Sequence, residues 1–148
     1  MTTVRKILEE KAEARIFTVP SSATVFDALQ VMCEGNTGAV LVTEGEKIVG
    51  IFTERDYARE GEVKGRLARN TKVSDVMTSQ MVLIKPETTL EESAELMRKY
   101  HVRHLPIIED ERVVGIVSIR RLAEALLEED RGTIGKLESY ILGSGYGE

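Results

Sequence analysis

The sequence predicts an α/β protein built from two copies of one β-α-β-β-α unit, with one helix before the first copy and one after the second. Residues 24–59 match residues 89–124 without a gap. Identities include Thr24/Thr89, Met32/Met97, Glu44/Glu109, Val49/Val114, Gly50/Gly115, Ile51/Ile116, Arg55/Arg120 and Ala58/Ala123, and apolar positions such as Val40/Leu105 and Val42/Ile107 change conservatively. Within each copy a helical period gives way to two short β-rich runs. At 148 residues the chain has the size of one ordinary domain and can bury a core without disulfides.

In chain order, residues 4–14 read as a charged amphipathic helix. Each copy then opens with an extended piece ending in proline, residues 16–20 and 82–86, displaced by one residue from the register of the main match; proline biases its predecessor away from helix. Thr24 with Asp27, and Thr89 with Glu92, carry the spacing of a capping box and start a helix. Val25, Leu29 and Met32, and likewise Leu90, Ala94 and Met97, recur at i, i+4, i+7 and mark the buried face. Strands follow at residues 39–43 and 48–52, and at 104–108 and 113–117, joined as hairpins by acidic turns. Gly50 and Gly115 fall inside the second strand of each pair, which signals a bulge or the close approach of another backbone or a ligand. Residues 55–59 and 119–129 close the copies as helices, and residues 133–142 form a further helix. The G-S-G-Y-G string near the C-terminus follows a helix rather than a strand, so its likeness to a dinucleotide fingerprint carries nothing. The expected organisation is therefore an N-terminal helix (1–15), repeat 1 (16–59), a polar linker (60–72), repeat 2 (73–129) and a C-terminal helix and tail (130–148).

Composition excludes several functions. The apolar runs are far shorter than the roughly 20 residues that cross a bilayer, and the N-terminus lacks a signal-peptide pattern, so a soluble, unprocessed protein without a membrane partner is expected. Lys and Arg number 20 against 25 Asp and Glu, a net charge of -5, which argues against a general nucleic-acid surface. With no tryptophan and 5% aromatic residues there is little to stack on bases. The single cysteine, Cys33, sits in a helical pattern without an intrachain partner, consistent with a cytoplasmic location.

The segment G-I-F-T-E-R-D, residues 50–56, carries a buried strand into a short helix with Thr53 and Asp56 at the junction. Thr53 and Asp56 read equally as a helix cap or as a site in which the carboxylate accepts both hydroxyls of a ribose while Thr53 and the first-turn amides face phosphate. The second copy reads G-I-V-S-I-R-R: Ser118 is kept, and Arg121 stands where Asp56 would. Arg120 and Arg121 read as phosphate-gripping guanidinium groups or, preferably, as solvated helix residues. Arg103 and His104 precede a strand where the first copy has Gly38 and Ala39, which suggests a cleft cationic on one side and suited to an anion.

His101 and His104 lack further ligands at metal-binding spacing, so no metal is expected. Nucleophile-elbow and phosphate-loop motifs are also missing, and a non-enzymatic protein is expected.

Taken as a set, the proline-ended strands, the cap-and-methionine helices, R-H-L-P before one strand and G-I-x-[TS]-x-R after another resemble a tandem pair of cystathionine-β-synthase (CBS) domains, over residues 16–129. Small proteins made only of this pair are most similar, including the S-Y-I string at residues 139–141. The resemblance implies two repeats packed sheet to sheet about a pseudo-twofold axis, two clefts between them, a homodimer, and an adenine nucleotide as ligand: AMP foremost, with ATP, ADP or NAD as alternatives. Carried onto this sequence, it places Asp56 on the ribose, Thr53 and Arg55 near ribose or phosphate, and Ile51, Met81, Val82 and Val102 around the base, with Arg103 and His104 at the phosphates. A second cleft would involve Thr37, Gly38, Ala39, Ile116, Ser118, Arg120 and Arg121. It also implies a sensor whose nucleotide-dependent dimer geometry is read by a regulated protein; the competing reading is a structural dimerisation module with degenerate sites.

Overall fold

A computed structural model of the chain describes residues 1–10 and 16–142, the side chains beyond residue 130 excepted. In chain order the elements are α1 (Arg5–Leu8), β1 (Thr18–Pro20), α2 (Val25–Gly35), β2 (Ala39–Glu44), β3 (Lys47–Thr53), α3 (Glu54–Asp56), a π-helical turn (Tyr57–Glu62), two 3₁₀ turns (Ala68–Asn70 and Val73–Asp75), α4 (Leu90–Tyr100), β4 (His104–Glu109), β5 (Arg112–Ser118) and α5 (Ile119–Leu142). They fall into two compact units: residues 16–82, and residues 1–10 with 83–142.

In the unit of residues 16–82, β1 pairs parallel with β2 and β2 antiparallel with β3. In the other unit β4 and β5 form the matching hairpin, and Ile84 bridges Ile107 in parallel as Val19 pairs with Val42. Those two pairings share one register. The displacement read between the proline-ended segments therefore arises after Ile84, where Lys85 is the extra residue before Pro86.

Both expected capping boxes form. Thr24 Oγ1 accepts from Asp27 N at 3.1 Å and Thr89 Oγ1 from Glu92 N at 3.0 Å, and each carboxylate in turn accepts from the cap amide. The buried faces agree with the apolar spacing at their ends and differ from it at the middle position. Val25, Ala28 and Met32 are buried in α2, and Leu90, Ser93 and Met97 in α4. Leu29 and Ala94 are only partly buried, because the small residues at 28 and 93 let the helix approach its sheet closely. Ser93 can be buried because its hydroxyl donates to the Thr89 carbonyl at 2.9 Å.

The expected irregularity at the strand glycines is present. Gly50 pairs with Val42 and Ile48 with Thr43, leaving Val49 as a bulge; Gly115 with Ile107 and Val113 with Ile108 leave Val114. Gly50 also meets another strand of backbone: a Cβ there would lie 2.6 Å from Met77 Sδ and 2.9 Å from the Thr78 carbonyl oxygen. The Met77 side chain can move. The carbonyl cannot do so freely, since it accepts from Ile51 N at 2.9 Å. Gly50→Ala is thus expected to lower unfolding free energy by about 1–3 kcal/mol, read as a lower urea midpoint at unchanged slope.

Three expectations need correction. The helices read separately at residues 119–129 and 133–142 are one, α5, because Gly132 costs about 1 kcal/mol in a helix interior yet removes no backbone hydrogen bond. The polar linker of residues 60–72 is partly helical: the turn after α3 runs to Glu62, with Gly61 buried beneath Tyr57 and the Tyr57 hydroxyl on Glu62 at 3.1 Å. The N-terminal helix appears as the single turn α1; residues 11–15 of that expectation, and the G-S-G-Y-G tail, lie outside the described residues.

The packing units also divide differently from the sequence boundaries. Val73 and Val76 belong to the core that contains Val19, Val25, Val40, Val42 and Phe52. Val4 and Ile7 are buried in the unit of residues 83–142, where Val4 N donates to Thr88 O at 2.9 Å and Leu90 N to Thr2 O at 3.1 Å. These bonds repeat in the other unit, where Val73 N donates to Ala23 O at 2.8 Å and Val25 N to Thr71 O at 2.8 Å. Residues 2–7 and 71–76 are therefore equivalent lead-in segments, and each completes the unit that holds the other copy's hairpin.

Candidate functional site

The junction of β3 and α3 is shaped by Thr53, an extended residue that caps the helix. Its Oγ1 accepts from Asp56 N at 3.2 Å and donates to Asp56 Oδ2 at 3.1 Å, while Thr53 N donates to the same Oδ2 at 3.0 Å. Capping is therefore one role of the pair. A residue that the sequence did not flag joins it: the Thr78 hydroxyl donates to Asp56 Oδ1 at 3.0 Å. Thr78 is brought there by a two-bond bridge with Ile51, whose amide and carbonyl pair with it at 2.9 and 2.8 Å.

Burial pushes the Asp56 carboxyl above its ordinary range, against the opposing pull of the Thr53 amide and the Thr78 and Thr53 hydroxyls; Glu60 adds a smaller push upward. Among the described residues no cation pairs with it. The π-helical turn begins at the next residue, a geometry that often marks functional positions.

The structure thus gathers Ile51, Thr53, Asp56 and Thr78. Arg55 is half-buried on the same short helix, and Met81 and Val82 are half-buried in the same unit. Val102, Arg103 and His104 stand together at the start of β4 in the other unit. Arg103 is exposed, and its carbonyl accepts from Ile119 N at 2.8 Å. His104 differs from expectation. Burial, reinforced by the charge of Arg103, lowers its pKa to about 4, so it is neutral at pH 7 and Arg103 alone supplies charge there.

The residues read as a second cleft are also divided between the units: Thr37, Gly38 and Ala39 in one, Ile116, Ser118, Arg120 and Arg121 in the other. Ser118 Oγ accepts from Arg121 N at 3.1 Å, so the cap survives the loss of the carboxylate. Arg120 is exposed, 3.4 Å from Glu124. Arg121 is not the solvated helix residue that the sequence reading preferred. Its side chain is 7% exposed, and its guanidinium binds Glu10 Oε2 through Nη2 and, at 3.0 Å, through Nε. Glu124 and Glu128 stand at 3.9 and 4.0 Å.

The two junctions are consequently built alike with opposite chemistry. At position 56 a carboxylate meets the hydroxyl of Thr78, two residues beyond Val76; at the matching position 121 a guanidinium meets the carboxylate of Glu10, three residues beyond Ile7. The sequence signal for these lead-in partners is slight: Thr2 and Val4 against Thr71 and Val73, with an aliphatic residue three further on.

Comparison with known proteins agrees with the duplicated plan. A family model described as CBS domain matches residues 4–62 and again residues 73–128, each match beginning at a lead-in valine. The mitochondrial CBS domain-containing protein CBSX3 of Arabidopsis thaliana is 35% identical over 150 residues, spanning 96% of this chain and 73% of that protein. The CBS domain-containing protein YhcV of Bacillus subtilis is 33% identical over 116 residues, 78% of this chain and 82% of its own. A solved structure of a protein with CBS domains from Burkholderia ambifaria superposes with a TM-score of 0.82 at 36% identity, covering 86% of this chain and 95% of that one.

Proposed function

Since the chain belongs to the CBS-domain family and carries two copies of the domain, a regulatory type of module, we propose that it binds an adenine nucleotide through the ribose, with Asp56 as the acceptor. One observation carries this reading. A half-buried carboxylate without a cationic partner among the described residues is costly, and donor hydroxyls from a ligand offset that cost. AMP is the ligand proposed first, with ATP, ADP and NAD as alternatives; Thr53 and Arg55 flank it, and Ile51, Met81 and Val82 supply apolar contact. Binding is transmitted by favouring one geometry of a homodimer over another, which a regulated protein reads. An apolar groove of about 320 Å³ along α4 and α5, lined by Met97, Ile119, Leu122 and Leu126 among others, supports self-association. No helix among the described residues is long and apolar enough to cross a membrane. Residence in the cytoplasm is part of the proposal, although the Arabidopsis relative is mitochondrial by name.

AMP at 100 times its dissociation constant is expected to stabilise the protein by about 2.7 kcal/mol, read as a rise in Tm. Asp56→Ala, compared with its own ligand-free Tm, is expected to lose most of that rise. An unchanged rise in the variant overturns the ribose assignment. No rise with AMP, ADP, ATP or NAD at millimolar concentration favours the second reading, an assembly module without ligand sites, which the engagement of Arg121 by Glu10 supports.

A further inference from the structure

We propose that the apolar groove between α4 and α5 is filled by residues 63–72 of a second copy of this chain, so that the unit of residues 16–82 in one copy meets the unit of residues 83–142 in the other. The inference rests on the self-association proposed above and makes it specific: two different patches meet, and neither pairs with its own twin.

The loop is a knob held in shape by its own hydrogen bonds. Among the described residues Val63 and Leu67, at 80% and 68%, are the most exposed large apolar side chains after Met1. Slack backbone is not the reason. Val63 N donates to Ala58 O and Arg66 N to Gly61 O, each at 3.0 Å, and the Leu67 carbonyl accepts from Asn70 N at 3.0 Å and Thr71 Oγ1 at 2.8 Å. Arg66 Nη1 ties the loop to the carbonyls of Glu60 and Asp75, each at 3.2 Å. A knob already in shape loses little freedom on binding. The shared fold does not ask for aliphatic residues there: carried on at the same offset, the second copy has Glu128 and Gly132 in the two places. Residues 63–72 also contain Lys64, Arg66, Arg69 and Lys72 and no acid, in a chain of net charge -5, so the rest of the surface is more acidic still.

The groove offers the converse. Met97, Ile119, Leu122, Ala123 and Leu126 give it an almost wholly apolar lining. Exposed Glu91 and Glu95 on α4 and Asp130 on α5 stand one helical turn from the lining residues Ala94, Arg98 and Leu126. Arg98 pairs with Glu95 at 2.6 Å and Arg120 with Glu124 at 3.4 Å, which leaves Glu91 and Asp130 to charge the rim. Groove against groove would set these carboxylates against their own copies, and loop against loop would oppose cations. Loop against groove joins apolar tips to an apolar floor with opposite charges at the edge.

Sedimentation equilibrium of the full chain tests the contact. The double variant Val63→Asp, Leu67→Asp is expected to raise the self-dissociation constant by roughly 100-fold, and Ala123→Lys in the groove by roughly 10-fold or more. Association undiminished in the loop variant overturns the proposal and leaves self-association standing. So does a loop variant that associates normally but no longer co-sediments with phosphatidylserine vesicles, because the loop then serves a membrane. A natural protein that stays monomeric removes the self-association reading and this contact with it. A second measurement needs no loss of binding. With the exposed Cys33 changed to serine, a Leu67→Cys chain mixed with an Ala123→Cys chain of different mass is expected to form a disulfide between the two kinds of chain. Cross-linking of either variant to its own kind, without the mixed product, shows that like patches meet and overturns the proposal.

Discussion

Glu10→Ala is expected to destabilise the protein by about 2–4 kcal/mol, whereas Arg121→Met, which removes the other half of the same ion pair, is expected to stay within about 1 kcal/mol of the natural sequence. The asymmetry follows from burial. The Arg121 side chain is 7% exposed and that of Glu10 39%. Taking away Glu10 removes a close carboxylate from a largely buried cation, and Glu124 and Glu128 stand further off, at 3.9 and 4.0 Å. Breaking a buried pair from one side typically costs about 3–5 kcal/mol, and the two more distant carboxylates reduce that. In Arg121→Met the buried charge disappears, the thioether fills much of the space of the arginine stem, and Glu10 turns to solvent. Urea denaturation of the two variants measures the difference. If Arg121→Met proves the costlier change, Glu10 is not what compensates the guanidinium.

The second large effect concerns acid. His104 has its folded pKa lowered to about 4 by burial and by Arg103, below the ordinary histidine value of about 6.5 that the unfolded chain would show. A base with a depressed folded pKa contributes its full stability above the unfolded value. That contribution fades as pH falls from about 6.5 towards 4, because the unfolded chain takes up the proton first. A displacement of this size corresponds to about 3 kcal/mol. Carboxylates titrate in the same region, so the informative quantity is the difference between the natural protein and His104→Gln. From pH 7.5 to pH 4.5 the natural protein is expected to lose Tm more steeply than the variant, whatever constant offset the substitution introduces. Parallel curves would show that His104 is protonated as readily folded as unfolded.

Local chemistry made much of this molecule readable in its sequence. The capping boxes at Thr24 and Thr89, the two hairpins and the bulge glycines each depend on residues a few positions apart. The middle position of each helix face was misread because a search for apolar periodicity overlooks Ala28 and Ser93, the small residues that are buried there. Long-range partners left almost no trace. Thr78 reaches Asp56 across 22 positions and Glu10 reaches Arg121 across 111, and neither pairing has a spacing that periodicity detects. The substitution of Arg121 for a carboxylate was visible, yet its meaning depended on whether an acid would be delivered to it. The charge state of His104 was equally hidden, because it is decided by how deeply β4 is buried.

The exchange of lead-in segments determines what can be separated from what. Val4 and Ile7 are covalently attached ahead of the first hairpin but fill the interior around the second, and Val73 and Val76 do the converse. A chain divided at residues 63–67 would give two pieces, each carrying the peptide the other lacks and missing its own. Each piece is therefore expected to be less stable than the undivided pair.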